Sequence, residues 1–286
     1  MHDSDSAAAD SAAPFPPEID LTRPSIARMY DAGIGGKDNF EVDREAAIAL
    51  EELVPGTFAM ARANRAYLSR AVDYVARSGV RQYIDLGSGL PTMENTHEIA
   101  QRHHPDAGVV YVDNDPIVLA HGRALLAENE STTVITSDLC DVDRVLDDEA
   151  TRRIVDFDEP VCVMLVSLLH CIPDAKDPFG VVRAYFERLP PGSCLVFSHI
   201  VSDDEEAARS FTDRVHSSGA EWGRVRAPEE AAQAFEGMRL VSPAENDGFP
   251  AVAVDCSTWR APGTEPQRRP ADPQVLIWEH AGVAYT

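Results

Sequence analysis

The chain has 286 residues, 44% of them apolar, which is enough for one large domain with an appendage or for two small domains. Its formal net charge of -23 argues against nucleic acid as a partner, because nucleic-acid-binding proteins present clustered lysine and arginine to the phosphates. The same acidity disfavours an anionic membrane surface, and no window of the sequence is apolar for long enough to span a bilayer.

Residues 1–21 are acidic and rich in alanine, serine and proline, and they predict a disordered tail rather than a secretory signal. The sequence has five cysteines and no Cys-x-x-Cys pair. Cys162 and Cys194 lie inside apolar runs, where buried reduced thiols are ordinary. We therefore expect a cytoplasmic protein without disulfides and without a metal site.

Residues 22–79 repeat alanine, leucine and valine at the three- and four-residue steps of a helix. Three helices are predicted, over 23–32, 39–54 and 57–79. Pro55 and Gly56 separate the second from the third, and Gly79 ends the third. This segment is predicted to be a helical cap before the first strand.

A glycine-rich stretch, "MYDAGIGGKDNF", joins the first two of these helices. It is not a phosphate-binding Walker loop, because Asp31 and Asp38 stand where that motif requires glycine and a hydroxyl residue. No apolar strand precedes it either. Two interpretations stay open: a turn capped by Asp or Asn, or a segment that closes over a ligand.

From residue 80 onward, short apolar runs alternate with helical stretches. The runs are "VRQYIDLG", "GVVYVDND", "TTVITSDL", "PVCVMLVSLL" and "GSCLVFSHI". They predict a doubly wound α/β domain over 80–286 with a mostly parallel sheet. Two helical stretches and two strand candidates follow, "MRLVS" and "QVLIWEHAGVAY", whereas the proline-rich stretch 248–273 has no clear assignment.

In such a sheet the ligand lies outside the carboxyl ends of the strands. Gly87 and Gly89 in the first strand-to-helix turn let the backbone approach a ligand closely. Asp113 ends the next strand, where a carboxylate can accept both hydrogens of a ribose diol. Asp138 ends the third strand, although it could also cap a helix.

Two features of a dinucleotide site are missing. The third glycine of Gly-x-Gly-x-x-Gly is Thr92, and Pro91 removes an amide that would help to hold a pyrophosphate. Asp85 would be unfavourable beside a pyrophosphate but suits a ligand with an ammonium group. S-adenosylmethionine fits this pattern, since it has an amino group, a sulfonium and a ribose but no phosphate.

The motifs "YIDLGSGLPT", "VVYVDNDP" and "ITSDL" resemble the cofactor motifs of class I S-adenosylmethionine-dependent methyltransferases. The resemblance implies their Rossmann-like fold over 80–286. The segments "ARMYDAGIGGKDNFEVDREAA" and "ARANRAYLSRAV" are similar, more narrowly, to an uncharacterised bacterial family assigned to the same reaction. One departure is Pro91, which replaces the usual third glycine of the methyltransferase turn.

Carried over by position, the resemblance implies cofactor contacts at Asp85, Gly87 and Gly89 for the methionine portion, Asp113 and Asn114 for the ribose, Asp138 and Leu139 for the adenine, and Ser167 for the sulfonium. It also implies substrate or lid contacts at Tyr30, Gly36, Lys37, Asp38, Asn39 and Arg65. His170 is the candidate for a base if the acceptor must lose a proton.

The expected function is methyl transfer to a small molecule. The fourth strand is not followed by the Asp/Asn-Pro-Pro-Tyr/Phe motif of amino-methylating enzymes that act on DNA, and it has no Pro-Cys nucleophile. Two alternatives stay open: a protein that binds the cofactor without turnover, and a nicotinamide-dependent oxidoreductase, which the missing third glycine disfavours. The methyl acceptor and the oligomeric state do not follow from the sequence.

Overall fold

The structure is a computed structural model that describes residues 20–91, 94–125, 129–241, 252–264 and 275–286. The predicted tail lies almost wholly outside these ranges, as do Thr92, Leu126 and Ser242. None of the helices in the described ranges is both long and apolar enough to cross a membrane.

The three predicted N-terminal helices are present as α1 (Ile26–Ile34), α2 (Glu41–Leu53) and α3 (Thr57–Arg77). The first ends at Gly35, whose φ of 86° is left-handed, and the Gly35 N–H donates to the carbonyl of Ala32. Gly56, with a φ of 102°, precedes α3. The glycines of this segment therefore end one helix and begin another.

The remaining elements alternate as the sequence predicts. The parallel strands are β1 (Gln82–Leu86), β2 (Gly108–Asp113), β3 (Thr132–Thr136), β4 (Cys162–Val166) and β5 (Cys194–Val201). The helices are α4 (Thr96–His103), α5 (Pro116–Leu125), α6 (Val142–Leu146), α7 (Glu149–Ile154), α8 (Pro178–Glu187), α9 (Glu205–Ser218) and α10 (Pro228–Ala231).

Three C-terminal strands complete the sheet: β6 (Arg239–Leu240), β7 (Val254–Asp255) and β8 (Trp278–Tyr285). The strand order is β3-β2-β1-β4-β5-β8-β6, and β8 runs antiparallel to β5, β6 and β7. The predicted doubly wound, mostly parallel α/β fold is thus confirmed. The short strand β7 lies in the stretch that the sequence left unassigned, because two residues are too few to show an alternating pattern.

The sheet has a hydrophobic core on each face, and successive residues of β1 alternate between them. Ile84 packs into one core and Tyr83 into the other. Helix α3 belongs to the second core, where the buried hydroxyl of Tyr67 lies 3.0 Å and 2.7 Å from the carbonyl oxygens of Phe197 and Gly282. Packing therefore joins α3 to the sheet, and the predicted domain division at residue 79 stays a prediction.

The connection between α1 and α2 is organised by Asp43, which is fully buried. Its carboxylate accepts hydrogen bonds from Arg28 Nε at 2.8 Å and from the backbone N–H groups of Ser25 at 3.0 Å and Phe40 at 2.9 Å. The Arg28 side chain is only 4% exposed. This buried ion pair fixes the first two helices to each other.

We expect Asp43→Ala to destabilise the helical cap by about 3–5 kcal/mol, because it leaves Arg28 charged and unpaired in the interior. The matched control is Asp106→Ala, which removes the exposed partner of Arg81 and should cost less than about 1 kcal/mol. Equilibrium urea unfolding of both variants measures the difference. Equal losses would contradict a special role for the buried pair.

Candidate active site

A cavity of 990 Å³ lies at the carboxyl ends of the parallel strands, beside the point where the strand order reverses between β1 and β4. Helices α1, α2 and α3 contribute to its wall from the opposite side, together with α9. Its volume is at the upper end of the range for small-molecule sites, about 300–1,000 Å³. It can therefore hold a nucleoside-sized ligand and a second small molecule.

The turn after β1 forms one wall. Gly87 and Gly89 both have a φ of 63°, which favours glycine, and a Cβ at Gly87 would lie 2.4 Å from Leu168 Cδ1. The hydroxyl of Ser88 is buried without a hydrogen-bond partner among the described residues. Pro91 follows at the end of this described stretch. The turn therefore places backbone without side chains at the cavity wall, together with a hydroxyl that has no hydrogen-bond partner among the described residues.

Asp113 is placed beside that turn by the end of β2. One carboxylate oxygen accepts the Gly89 N–H at 2.9 Å and the other accepts the Asp115 N–H at 2.9 Å. The Asn114 N–H also forms a hydrogen bond to this carboxylate, which still has lone-pair capacity for a ligand hydroxyl. Burial raises the pKa of Asp113, and the neighbouring Asn114 also lines the cavity.

Asp85 lies deeper, at the end of β1, and is 5% exposed. It accepts a hydrogen bond from Thr96 Oγ1 at 2.7 Å. Burial raises its pKa to about 6, against the opposing effects of Thr96 and the Arg65 guanidinium. Arg65 also lines the cavity and donates to the carbonyl of Glu94 at 2.8 Å. A carboxylate beside a guanidinium is complementary to the ammonium and carboxylate of an amino acid.

Asp138 and Leu139 line the cavity after β3. Asp138 accepts the Cys140 N–H at 2.9 Å and forms an ion pair with Lys176 at 2.9 Å, which lowers the Asp138 pKa. Both partners are about half exposed. Lys176 is a cavity residue that the sequence reasoning missed.

Ser167, at the end of β4, is strained, with a φ of 56°. Its N–H donates to Ser198 Oγ at 2.9 Å, and its hydroxyl donates to the carboxylate of Glu279 on β8. Glu279 lines the cavity and is 1% exposed, and burial raises its pKa to about 7. The sequence reasoning missed Glu279, although a lone carboxylate within an apolar strand candidate was a usable signal.

His170 also lines the cavity and is almost fully buried. Its Nδ1 accepts the Ile200 N–H at 3.1 Å, so the neutral ring holds its proton on Nε2. Burial holds the pKa of His170 well below its usual value. This geometry favours hydrogen-bond donation from Nε2 over proton acceptance, and the base role assigned to His170 stays a prediction.

Only the first part of the glycine-rich segment belongs to the described lining of the cavity. Tyr30 lines the cavity, as Arg65 does, whereas Gly36, Lys37, Asp38 and Asn39 are absent from its described lining. Instead the buried carboxylate of Asp31 accepts the Asp38 N–H at 2.9 Å and the Asn39 side-chain amide at 2.8 Å. A Cβ at Gly36 would lie 1.9 Å from Asp31 Oδ1, and Lys37 is exposed. The segment is therefore an Asp-centred turn, and contact of those four residues with a ligand stays a prediction.

All five cysteines are free thiols. Within the described residues, no group of three or more His, Cys, Asp or Glu side chains is arranged to hold a metal ion.

A family model described as S-adenosyl methyltransferase matches residues 12–286. A solved structure of a candidate methyltransferase from Thermobifida fusca YX is 40% identical, with a TM-score of 0.82 over 94% of this chain and 97% of that one. A DUF574 family protein from Streptomyces avermitilis MA-4680 is 32% identical, with a TM-score of 0.78 over 92% and 97% of the two chains.

Curated relatives are more distant. A carboxy-S-adenosyl-L-methionine synthase from Geobacter sp. strain M21 is 28% identical over 135 residues, which cover 46% of this chain and 50% of that protein. A synthase of the same name from Geobacter metallireducens is 28% identical over 145 residues, which cover 49% and 53%. The chain thus spans about half the length of the curated relatives it matches.

We expect the affinity for S-adenosylmethionine to fall about tenfold for each pH unit below about 6. This follows from the predicted pairing of ionised Asp85 with the ligand's ammonium group, because the raised Asp85 pKa of about 6 makes protonation compete with binding. Calorimetric titration at several pH values measures this. Asp85→Asn should bind S-adenosylmethionine more weakly at neutral pH, and its affinity should fall much less as the pH is lowered. An unchanged pH dependence in that variant would contradict the pairing of Asp85 with the ammonium group.

Proposed function

The chain belongs to the S-adenosyl methyltransferase family, and we propose that it methylates a small organic molecule held beside the cofactor in the cavity. The cavity has two chemically different parts, and this observation carries the proposal. One part is polar and lies at the ends of β1, β2 and β3. The other is mostly apolar and is lined from α1, α2, α3 and α9, from the segment after α9, and from the neighbouring ends of β5 and β8.

The polar part fits the cofactor that the family uses. Its glycine turn, the unsatisfied hydroxyl of Ser88 and the carboxylate of Asp113 suit the backbone and ribose of a nucleoside without phosphates. Asp85 and Arg65 would hold the amino-acid group. When bound, S-adenosylmethionine supplies an electrophilic methyl group on a sulfonium.

Adenine is assigned to the far end of the polar part. There Asp138 and the backbone at Leu139 would meet the base, and the pairing of Asp138 with Lys176 keeps that carboxylate ionised. Asn114 would share the ribose with Asp113. The side chains named for this part lie at or just after the ends of β1, β2 and β3, apart from Arg65 on α3 and Lys176 after β4.

The apolar part would take the methyl acceptor. Six of its lining residues are Leu50, Phe58, Met60, Ile200, Phe211 and Trp222. Such walls exclude water and orient an apolar molecule, and alignment with desolvation can supply much of the acceleration of a methyl transfer. The acidic surface of the chain is consistent with a small acceptor rather than with nucleic acid.

The carboxy-S-adenosyl-L-methionine synthases raise a second possible product, a carboxylated cofactor. We favour methyl transfer, because the buried carboxyl of Glu279, beside Ser167, would repel the added carboxylate of a carboxylated cofactor. A protein that binds the cofactor without turnover is the remaining alternative.

We expect Asp113→Ala to weaken binding of S-adenosylmethionine and S-adenosylhomocysteine by about 10- to 100-fold, since it removes hydrogen bonds to a charged acceptor. Asp106→Ala is the control, because Asp106 is exposed and outside the cavity lining. Calorimetry with both ligands and with NAD measures the effect. Preferential binding of NAD, or no effect of Asp113→Ala, would contradict the assigned cofactor site.

Turnover is tested separately by mass spectrometry of the protein incubated with S-adenosylmethionine and a pool of small hydroxylated metabolites. Methyl transfer is expected to yield S-adenosylhomocysteine and an acceptor heavier by one methylene. A carboxylated cofactor would support the synthase activity instead, and tight cofactor binding without any product would favour the binding protein.

A further inference from the structure

Glu279 is a buried carboxylate with an incomplete set of hydrogen bonds. It pairs with Ile200 in the β5–β8 ladder, near the carboxyl end of β5. Its Oε1 accepts the Ser167 hydroxyl, whereas its Oε2 is buried and accepts no hydrogen bond from the described residues. Leaving such an atom unsatisfied is unfavourable, above all for a charged group. A group that enters the cavity could remove this cost.

Within the described part of the chain, the groups named as affecting the pKa of Glu279 are Ser167, Ser198 and Asp255, and none of them is a cation. The Ser198 hydroxyl lies close enough to lower the pKa of Glu279, but its single proton is donated to Asn64 Oδ1 at 2.7 Å. The other titratable groups near Glu279 are Asp255 on β7, Tyr30 on α1, and the thiols Cys171 and Cys256. Each is acidic or neutral, so none of these groups supplies a positive charge to the ionised carboxylate.

A second unsatisfied polar atom belongs to the same cavity wall. Trp222 lines the cavity and is 8% exposed, and its Nε1–H is buried without an acceptor among the described residues. Its ring packs against His170, with the ring centres 4.6 Å apart. Among the described residues that line the cavity, Glu279 therefore has a free acceptor and Trp222 a free donor.

We propose that Glu279 binds the hydroxyl group of an apolar methyl acceptor and accepts its proton during transfer. This assignment rests on the methyl transfer proposed above. The acceptor oxygen forms a bond to the methyl carbon as its proton moves to the Glu279 carboxylate, and the electron pair of the broken carbon–sulfur bond stays on sulfur. The products are a methyl ether, S-adenosylhomocysteine and a protonated Glu279, which then releases its proton to water.

A hydroxyl suits this position better than an ammonium group. The sulfonium brings a positive charge into the desolvated cavity, so a second cation beside it would be repelled. A neutral hydroxyl can satisfy the free oxygen of Glu279 without adding charge. A carboxylate on Glu279 with a pKa near 7 is also matched to proton transfer at neutral pH.

The binding test uses 2-naphthol and 2-methoxynaphthalene, which share an apolar body and differ in the hydroxyl proton. Titrated in the presence of S-adenosylhomocysteine, the wild-type protein should prefer 2-naphthol by about tenfold or more. Glu279→Met should abolish the preference, whereas Glu236→Gln, at an exposed site outside the cavity lining, should keep it. No preference in the wild type, or tighter binding of 2-naphthylmethylammonium, would overturn the proposal.

The kinetic test uses Glu279→Gln, which keeps the shape and the hydrogen-bond partner but cannot accept the proton. Its kcat for the methylation of 2-naphthol should fall by about 100- to 10,000-fold, while its affinity for S-adenosylmethionine stays within about threefold of wild type. At saturating cofactor the wild-type rate should rise up to about pH 7, where Glu279 ionises, and this rise should be absent in the variant. A wild-type rate and pH profile in Glu279→Gln would overturn the base role.

The two tests separate the inference from the proposed function. If binding prefers 2-naphthol through Glu279 but no methylated product forms, the hydroxyl-binding role of Glu279 is supported and the proposed methyl transfer is contradicted. Methylated product that forms independently of Glu279 would keep the methyl transfer and overturn the role of Glu279.

Discussion

The reversal of strand order between β1 and β4 is the constraint on which the site depends. Helices that follow strands on either side of this point pass to opposite faces of the sheet, so the carboxyl ends of β1 and β4 stay uncovered. Two other parts of the chain close the gap: the N-terminal helices, fixed by the buried Arg28–Asp43 pair, and the start of the antiparallel strand β8. The result is a cavity with a polar part and a mostly apolar part.

Buried acids give this cavity its chemistry. Asp85, Asp113 and Glu279 all line it, and burial raises the pKa of each. An excess of poorly solvated carboxylates favours a ligand that brings positive charge, and S-adenosylmethionine brings an ammonium and a sulfonium. The same excess disfavours anionic acceptors. Under the function proposed above, one electrostatic property of the cavity accounts for both the cofactor and the kind of acceptor.

The sequence predicts the helices of the cap, the parallel strands and the strand-end acids, because each depends on local spacing. It does not reveal the turn around Asp31, since nothing in "GGKDN" shows that a carboxylate several residues earlier accepts the hydrogen bonds of Asp38 and Asn39. Glu279 was missed for a related reason: its role depends on contact with Ser167, which is 112 residues away in the chain. Long-range contacts of this kind require the fold.

The most direct test of the account is a crystal structure of the protein with S-adenosylhomocysteine. The ribose hydroxyls should form hydrogen bonds to Asp113, and the amino-acid group should lie between Asp85 and Arg65. The space bounded by Trp222, His170 and Glu279 should stay open for an acceptor. Binding of the ligand elsewhere, or with its homocysteine portion filling that space, would contradict a two-part cavity built for methyl transfer.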